Sequence, residues 1–119
     1  MHEINNKDLT ARKEHICNWC GGTIEKGSVY NKQTNIFDNN IYEWKSHLEC
    51  YKLTGLLNMS KYDNGAGIDE ETFAECINNY VYEHHYDNEK EDIEEKWSNV
   101  TLHEKATMII QEISKAKSL

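Results

Sequence analysis

Apolar residues recur at helical spacing in the second half of the chain and alternate with polar ones in parts of the first. Phe73, Ile77, Tyr80, Val81 and His84 fall on one stripe of a 3.6-residue repeat, which predicts a helix over residues 69–86. Asp69 stands where an N-cap belongs, Glu70 and Glu71 suit the first turn, and Ile68 with Phe73 is placed as a hydrophobic staple. Ile93 and Trp97, four apart, predict a short helix near 90–98. Thr101 and Glu104 form a capping box ahead of Leu102, Ala106, Ile109, Ile110 and Ile113, predicting a last helix over 102–116. Residues 55–67 read as a connector, and no internal repeat is evident.

The first half has a different rhythm. Residues 24–30 read as a turn into a strand, with Gly27 at the turn, and Asp38-Asn39-Asn40 is a second turn signal. Ile41 to Lys45 alternates among β-formers, so a hairpin is expected over 28–45. Ser46-His47-Leu48-Glu49 reads as a capping box with Ser46 at the N-cap. It places His47 and Cys50 in the first turn of a short helix ending near Gly55.

Chemistry enters through Cys17, Cys20, His47 and Cys50, a C-x2-C-x26-H-x2-C array. Three thiolates and one imidazole make a closed ligand set for one tetrahedral, structural Zn²⁺. A lone Cys-x-x-Cys also serves redox chemistry; the second pair makes the metal reading specific. Gly21-Gly22 after Cys20 lets the backbone turn tightly and aim amides at sulfur. Knuckle, hairpin and helix N-terminus in this order form a treble-clef-like arrangement. The expected fold is therefore α+β: a zinc-binding module over 1–55, then an acidic helical region over 56–119 packed on it.

Cys17-x-x-Cys20, Ile24-x-Lys26, Phe37-Asp38 and Trp44-x-x-His47-x-x-Cys50-Tyr51 together resemble the zinc finger of the poly(ADP-ribose) polymerase type. The resemblance covers about residues 15–53, and nothing like a polymerase catalytic domain accompanies it. It implies a zinc-bound finger of a kind that binds DNA ends through basic residues and exposed apolar side chains. Tyr30 stands where that family tends to carry a basic residue, and Asn39 where its turn has Gly.

Charge argues against the DNA activity. The formal charge is −8, and residues 1–55 hold 7 basic and 7 acidic side chains, so the whole excess lies in the second half. Duplex binding depends on neutralising phosphates with Lys and Arg, and the chain has one Arg, Arg12, against twelve Lys. Thirteen Asn and no Pro accompany this usage, which fits an AT-rich coding sequence such as that of a low-GC bacterium or its phage. Hydrophobic residues reach only 38%, a thin supply for a core, which a metal staple would offset. No apolar run is long enough for a membrane span and the N-terminus lacks a signal-peptide pattern. Cysteines arranged for metal fit a reducing interior, so the cytoplasm is the expected location.

The remaining candidates are quieter. Cys76 sits beside an apolar stripe and reads as core. His84 and His85, neighbours on a helix, point about 100° apart and so do not converge on one ion. His15, two residues before Cys17, has no partner set that would make it a catalytic base. No phosphate loop, catalytic triad or scaffolded carboxylate pair is present, so no enzyme is expected. Two function classes fit. In the first, the acidic run around Glu89, Glu91, Asp92, Glu94 and Glu95 docks a basic protein, as in an adaptor or inhibitor of phage or mobile-element origin. In the second, a nucleic-acid-binding finger contacts DNA ends or single strands through Trp19, Lys26, Tyr30, Lys32 and Lys45.

Overall fold

The largest sheet among the described residues begins with a strand that its own sequence disguises. The computed structural model describes residues 2–62 and 68–117. In it β1 (His2–Thr10) pairs antiparallel with β4 (Val29–Phe37), which pairs in turn with β5 (Asn40–His47), giving a three-stranded sheet of order β1-β4-β5. Asn, Lys and Asp dominate β1, residues that strands usually avoid. Its place is secured from outside: the ladder to β4 is reinforced by Asn31 Nδ2, which donates to Asn6 Oδ1 at 2.7 Å and to Asp8 Oδ1 at 3.0 Å.

The expected hairpin is present as β4 and β5. Asp38 (φ 52°) and Asn39 (φ 64°) form its two-residue loop, both in the left-handed region that a type I′ turn requires. Asn tolerates that region well, so Asn39 closes the turn without glycine. Between β1 and β4 lies a smaller hairpin, β2 (His15–Ile16) against β3 (Thr23–Ile24), whose loop is the Cys17–Cys20 knuckle. Gly27, with φ 89°, makes the turn into β4 as expected.

The capping-box reading of Ser46 is corrected. β5 continues through Ser46 and His47, so α1 (Leu48–Leu56) begins one residue later than expected, with His47 at the N-cap and no side-chain cap bond. Ser46 is held in register with Asn31, and its buried hydroxyl has no partner; the sheet outcompetes the cap. Gly55 lies inside α1, and the chain leaves the helix through Asn58 at φ 51°. A 3₁₀ turn (Met59–Tyr62) follows and buries Met59. The rest of the predicted connector, 63–67, lies outside the described residues.

In the second half α2 (Glu70–His84) starts as expected, with Asp69 accepting from Thr72 N at 2.8 Å and burying Phe73, Ile77 and Val81. The helix predicted near 90–98 shrinks to one turn, α3 (Glu95–Ser98). Residues ahead of it form a small hairpin, β6 (Tyr86–Asp87) with β7 (Asp92–Ile93), turned by an Asp87 side chain that accepts from Glu89 N at 2.9 Å. That turn chemistry won over helical spacing. α4 (Leu102–Lys117) opens on the expected box: Thr101 Oγ1 accepts from Glu104 N and donates to the Glu104 carboxylate, both at 3.1 Å.

The outcome is a mixed α+β fold. Cys17, Trp19, Ile24 and Leu53 from the first half join Phe73, Ile77, Trp97 and Ile109 from the second in one buried apolar cluster. No helix among the described residues is long and apolar enough to cross a membrane.

Candidate metal centre

Three pieces of backbone deliver the four residues. The β2–β3 loop supplies Cys17 and Cys20, the end of β5 supplies His47, and the first turn of α1 supplies Cys50. Their ligand atoms all lie within 4.8 Å of one another. Cys20 Sγ and Cys50 Sγ sit 3.3 Å and 3.7 Å from His47 Nδ1. A tetrahedral zinc with Zn–S of about 2.3 Å and Zn–N of about 2.0 Å would set S···N edges at roughly 3.5 Å, between the two observed, and S···S edges at roughly 3.8 Å. The cysteines are free of disulfides, and Cys17, Cys50 and His47 are buried.

The surroundings are those of a ligand set. His47 Nε2 faces the Thr23 carbonyl oxygen at 2.9 Å, so Nε2–H donates there and Nδ1 is the nitrogen turned toward the sulfurs. Gly22 N donates to Cys20 Sγ at 3.3 Å and Cys20 N to Cys17 Sγ at 3.5 Å, bonds that favour thiolates. Gly21 takes φ 76°, and a Cβ on Gly22 would stand 3.4 Å from Cys20 Sγ and 3.7 Å from His47 Cε1. The left-handed backbone at Gly21 is what needs glycine in the knuckle, while a Cβ on Gly22 would make only ordinary contact.

Gathering these groups strains their protonation. Hydrogen bonds with Cys20 and Cys50 outweigh burial and hold Cys17 far below the usual thiol range. Bonds to Cys17 and Cys20, with burial, push Cys50 far above it. Burial pulls His47 down, but its bonds with Cys17 and Cys20 prevail and push it up to about 10. Protons on His47 and Cys50 are the ones that a divalent cation would displace, because ligand thiols and imidazole bind metal deprotonated.

One contact was invisible in the sequence. His103, in the first turn of α4, stacks flat on His47 with ring centroids 3.7 Å apart and an interplanar angle of 8°. Its Nε2 lies 3.5 Å from Glu49 Oε2, too long to satisfy the buried nitrogen fully. The only local signal was the Thr101–Glu104 box, which fixes where α4 starts. Because the stack restrains the ligand ring, His103→Ala should weaken metal retention by about tenfold, the scale of losses at groups that orient ligands. Competition with a chromophoric chelator measures it; unchanged metal retention would mean that the stack is mere packing.

The other candidate residues are dispersed. Trp19 is buried, its ring 5.8 Å from Phe73 in a stacked pair, and its Nε1 donates to Ile68 O at 3.2 Å. It covers the knuckle and offers no exposed stacking face. Tyr30 is also buried, beside the His15 ring at 5.1 Å. Lys32 and Lys45 are cross-strand neighbours that share Glu43, at 3.2 Å and 3.9 Å, and Lys26 is exposed near the Gly27 turn.

Glu89, Glu91 and Asp92 are exposed on the β6–β7 hairpin, and Glu95 is exposed at the start of α3. Glu94 is engaged: the two ring nitrogens of His85 face Glu94 Oε1 and Glu112 Oε2, each at 2.9 Å. His84 turns away and bonds Tyr80 O, so the two histidines diverge as expected. Cys76 packs at the margin of the core, and burial raises its thiol above the ordinary range. Comparison with protein-family models, curated proteins and solved structures finds no match to this chain.

Proposed function

We propose that this chain is a small structural-zinc protein that acts as a protein-interaction module, an adaptor or inhibitor working in the cytoplasm. One Zn²⁺ on Cys17, Cys20, His47 and Cys50 organises a treble clef akin to the poly(ADP-ribose) polymerase-type finger, and the acidic half meets a basic partner. The observation that carries the structural reading is the closure of the ligand set. Four protein ligands converge, and the far nitrogen of His47 is tied to Thr23 O, so no coordination position is left for substrate. That argues against catalysis. Burial of Trp19 and Tyr30 weighs against the nucleic-acid reading, since stacking on bases needs an exposed ring.

The docking surface in this reading is the β6–β7 hairpin with the residues just after it. Neutralising Glu89, Glu91, Asp92, Glu94 and Glu95 together should slow association with the basic partner about tenfold at low salt, since long-range steering depends on net charge. The partner comes from affinity capture with and without nuclease treatment, and stopped-flow mixing gives the rates. Equal rates for wild type and variant would reduce the acidic run to a solvated face.

A further inference from the structure

We propose that the outer face of the three-stranded sheet is a second docking surface, one that takes a short acidic, partly apolar segment of another protein. The register creates it: Lys7 is opposite Lys32, and Lys32 is opposite Lys45, so three lysines cross the sheet side by side. At a strand spacing of about 4.8 Å the row spans roughly 10 Å. Like charges directly opposite each other destabilise a sheet, so folding alone does not favour this arrangement. Glu43 is the one carboxylate among the described residues registered on this face, and it is shared between Lys32 and Lys45.

Beside the row lies a groove of about 780 Å³ lined by Leu9, Thr10, Arg12, Lys13, His15 and Tyr30. Leu9 and Tyr30 are themselves a cross-strand pair, two residues along from Lys7 and Lys32, so groove and lysine row form one continuous surface. The opposite face is already occupied: Asn31, Gln33, Asn35 and Ser46 are buried there, and Asn6 donates to Tyr51 of α1.

The occupant follows from charge and shape. A basic face calls for an anion, and the half-buried Leu9 in the groove gives an apolar side chain something to cover. A long nucleic acid is disfavoured, because it carries a charge every few ångströms and would run onto a molecule of net charge −8. A short peptide segment meets the face alone. This surface is independent of the acidic hairpin, and with it the adaptor would have two poles of opposite sign.

The test uses the full chain loaded with zinc and a fluorescent synthetic peptide of alternating glutamate and leucine, read by anisotropy. Wild type should bind, and a Lys7→Gln, Lys32→Gln, Lys45→Gln triple variant should bind about tenfold or more weakly, since each exposed ion pair contributes modestly. An Arg12→Gln, Lys13→Gln variant should show a smaller loss. Zinc content and circular dichroism establish that both variants are folded. Absence of peptide binding by wild type, or binding that neither variant weakens, would overturn the proposal. A single-stranded oligonucleotide bound as tightly as the peptide, with the same lysine dependence, would overturn it in favour of nucleic acid.

Discussion

Cys50→Ala should release the metal and unfold the knuckle, the hairpin base and α1, leaving a chain that retains part of its helix signal but no fixed core. Apparent zinc-binding energies of about 10–16 kcal/mol are folding energy in small zinc modules, and whole domains are stable by only about 5–15 kcal/mol. Cys50 is fully buried in α1 one turn before Leu53, and Leu53 shares a cluster with Ile77 and Ile109. Loss of structure around α1 therefore removes packing from α2 and α4. Far-ultraviolet circular dichroism should fall part of the way, near-ultraviolet signal from the buried tryptophans should vanish, and the thermal transition should broaden. A variant that melts like wild type would show that the site is not structural.

Phe73→Ala should be the most damaging change remote from the ligands. Phe73 is fully buried in the first turn of α2, and its ring lies on Trp19, the residue between the first two cysteines. Truncating such a side chain costs about 3–5 kcal/mol through lost burial and the cavity left behind. That is a large share of a domain's stability, so chemical denaturation should move its midpoint sharply lower. Because the lost contact joins α2 to the knuckle, the metal should also become easier to extract. A loss under about 1 kcal/mol, with metal retention intact, would mean that the two halves do not depend on one another.

Much of this could be read from the residues because local chemistry agreed with global structure. Asp69 and Thr101 cap their helices, Gly27 and Asp38-Asn39 make their turns, and helical spacing located α2 and α4 within about two residues. The four candidate ligands were legible as two short pairs. What escaped depends on partners distant in sequence. β1 is rich in residues that strands avoid and is held by its ladder to β4. Ser46 looks like a cap in isolation and is a strand residue in context. Ile93 and Trp97 have helical spacing, yet Asp87 turns the chain so that Ile93 pairs with Tyr86. The stack of His103 on His47 joins residues 56 positions apart and has no signature along the chain. Trp19 was a candidate for contacting nucleic acid, and its burial against Trp44, Tyr51 and Phe73, the last two distant in sequence, makes it cover for the knuckle instead.

X-ray absorption at the zinc edge of the purified protein tests the central claim most directly, together with elemental analysis. One zinc per chain, with three sulfur neighbours at about 2.3 Å and one nitrogen at about 2.0–2.1 Å, is the expected result. Protein without stoichiometric metal, or a spectrum dominated by oxygen ligands, would contradict a closed centre built from Cys17, Cys20, His47 and Cys50.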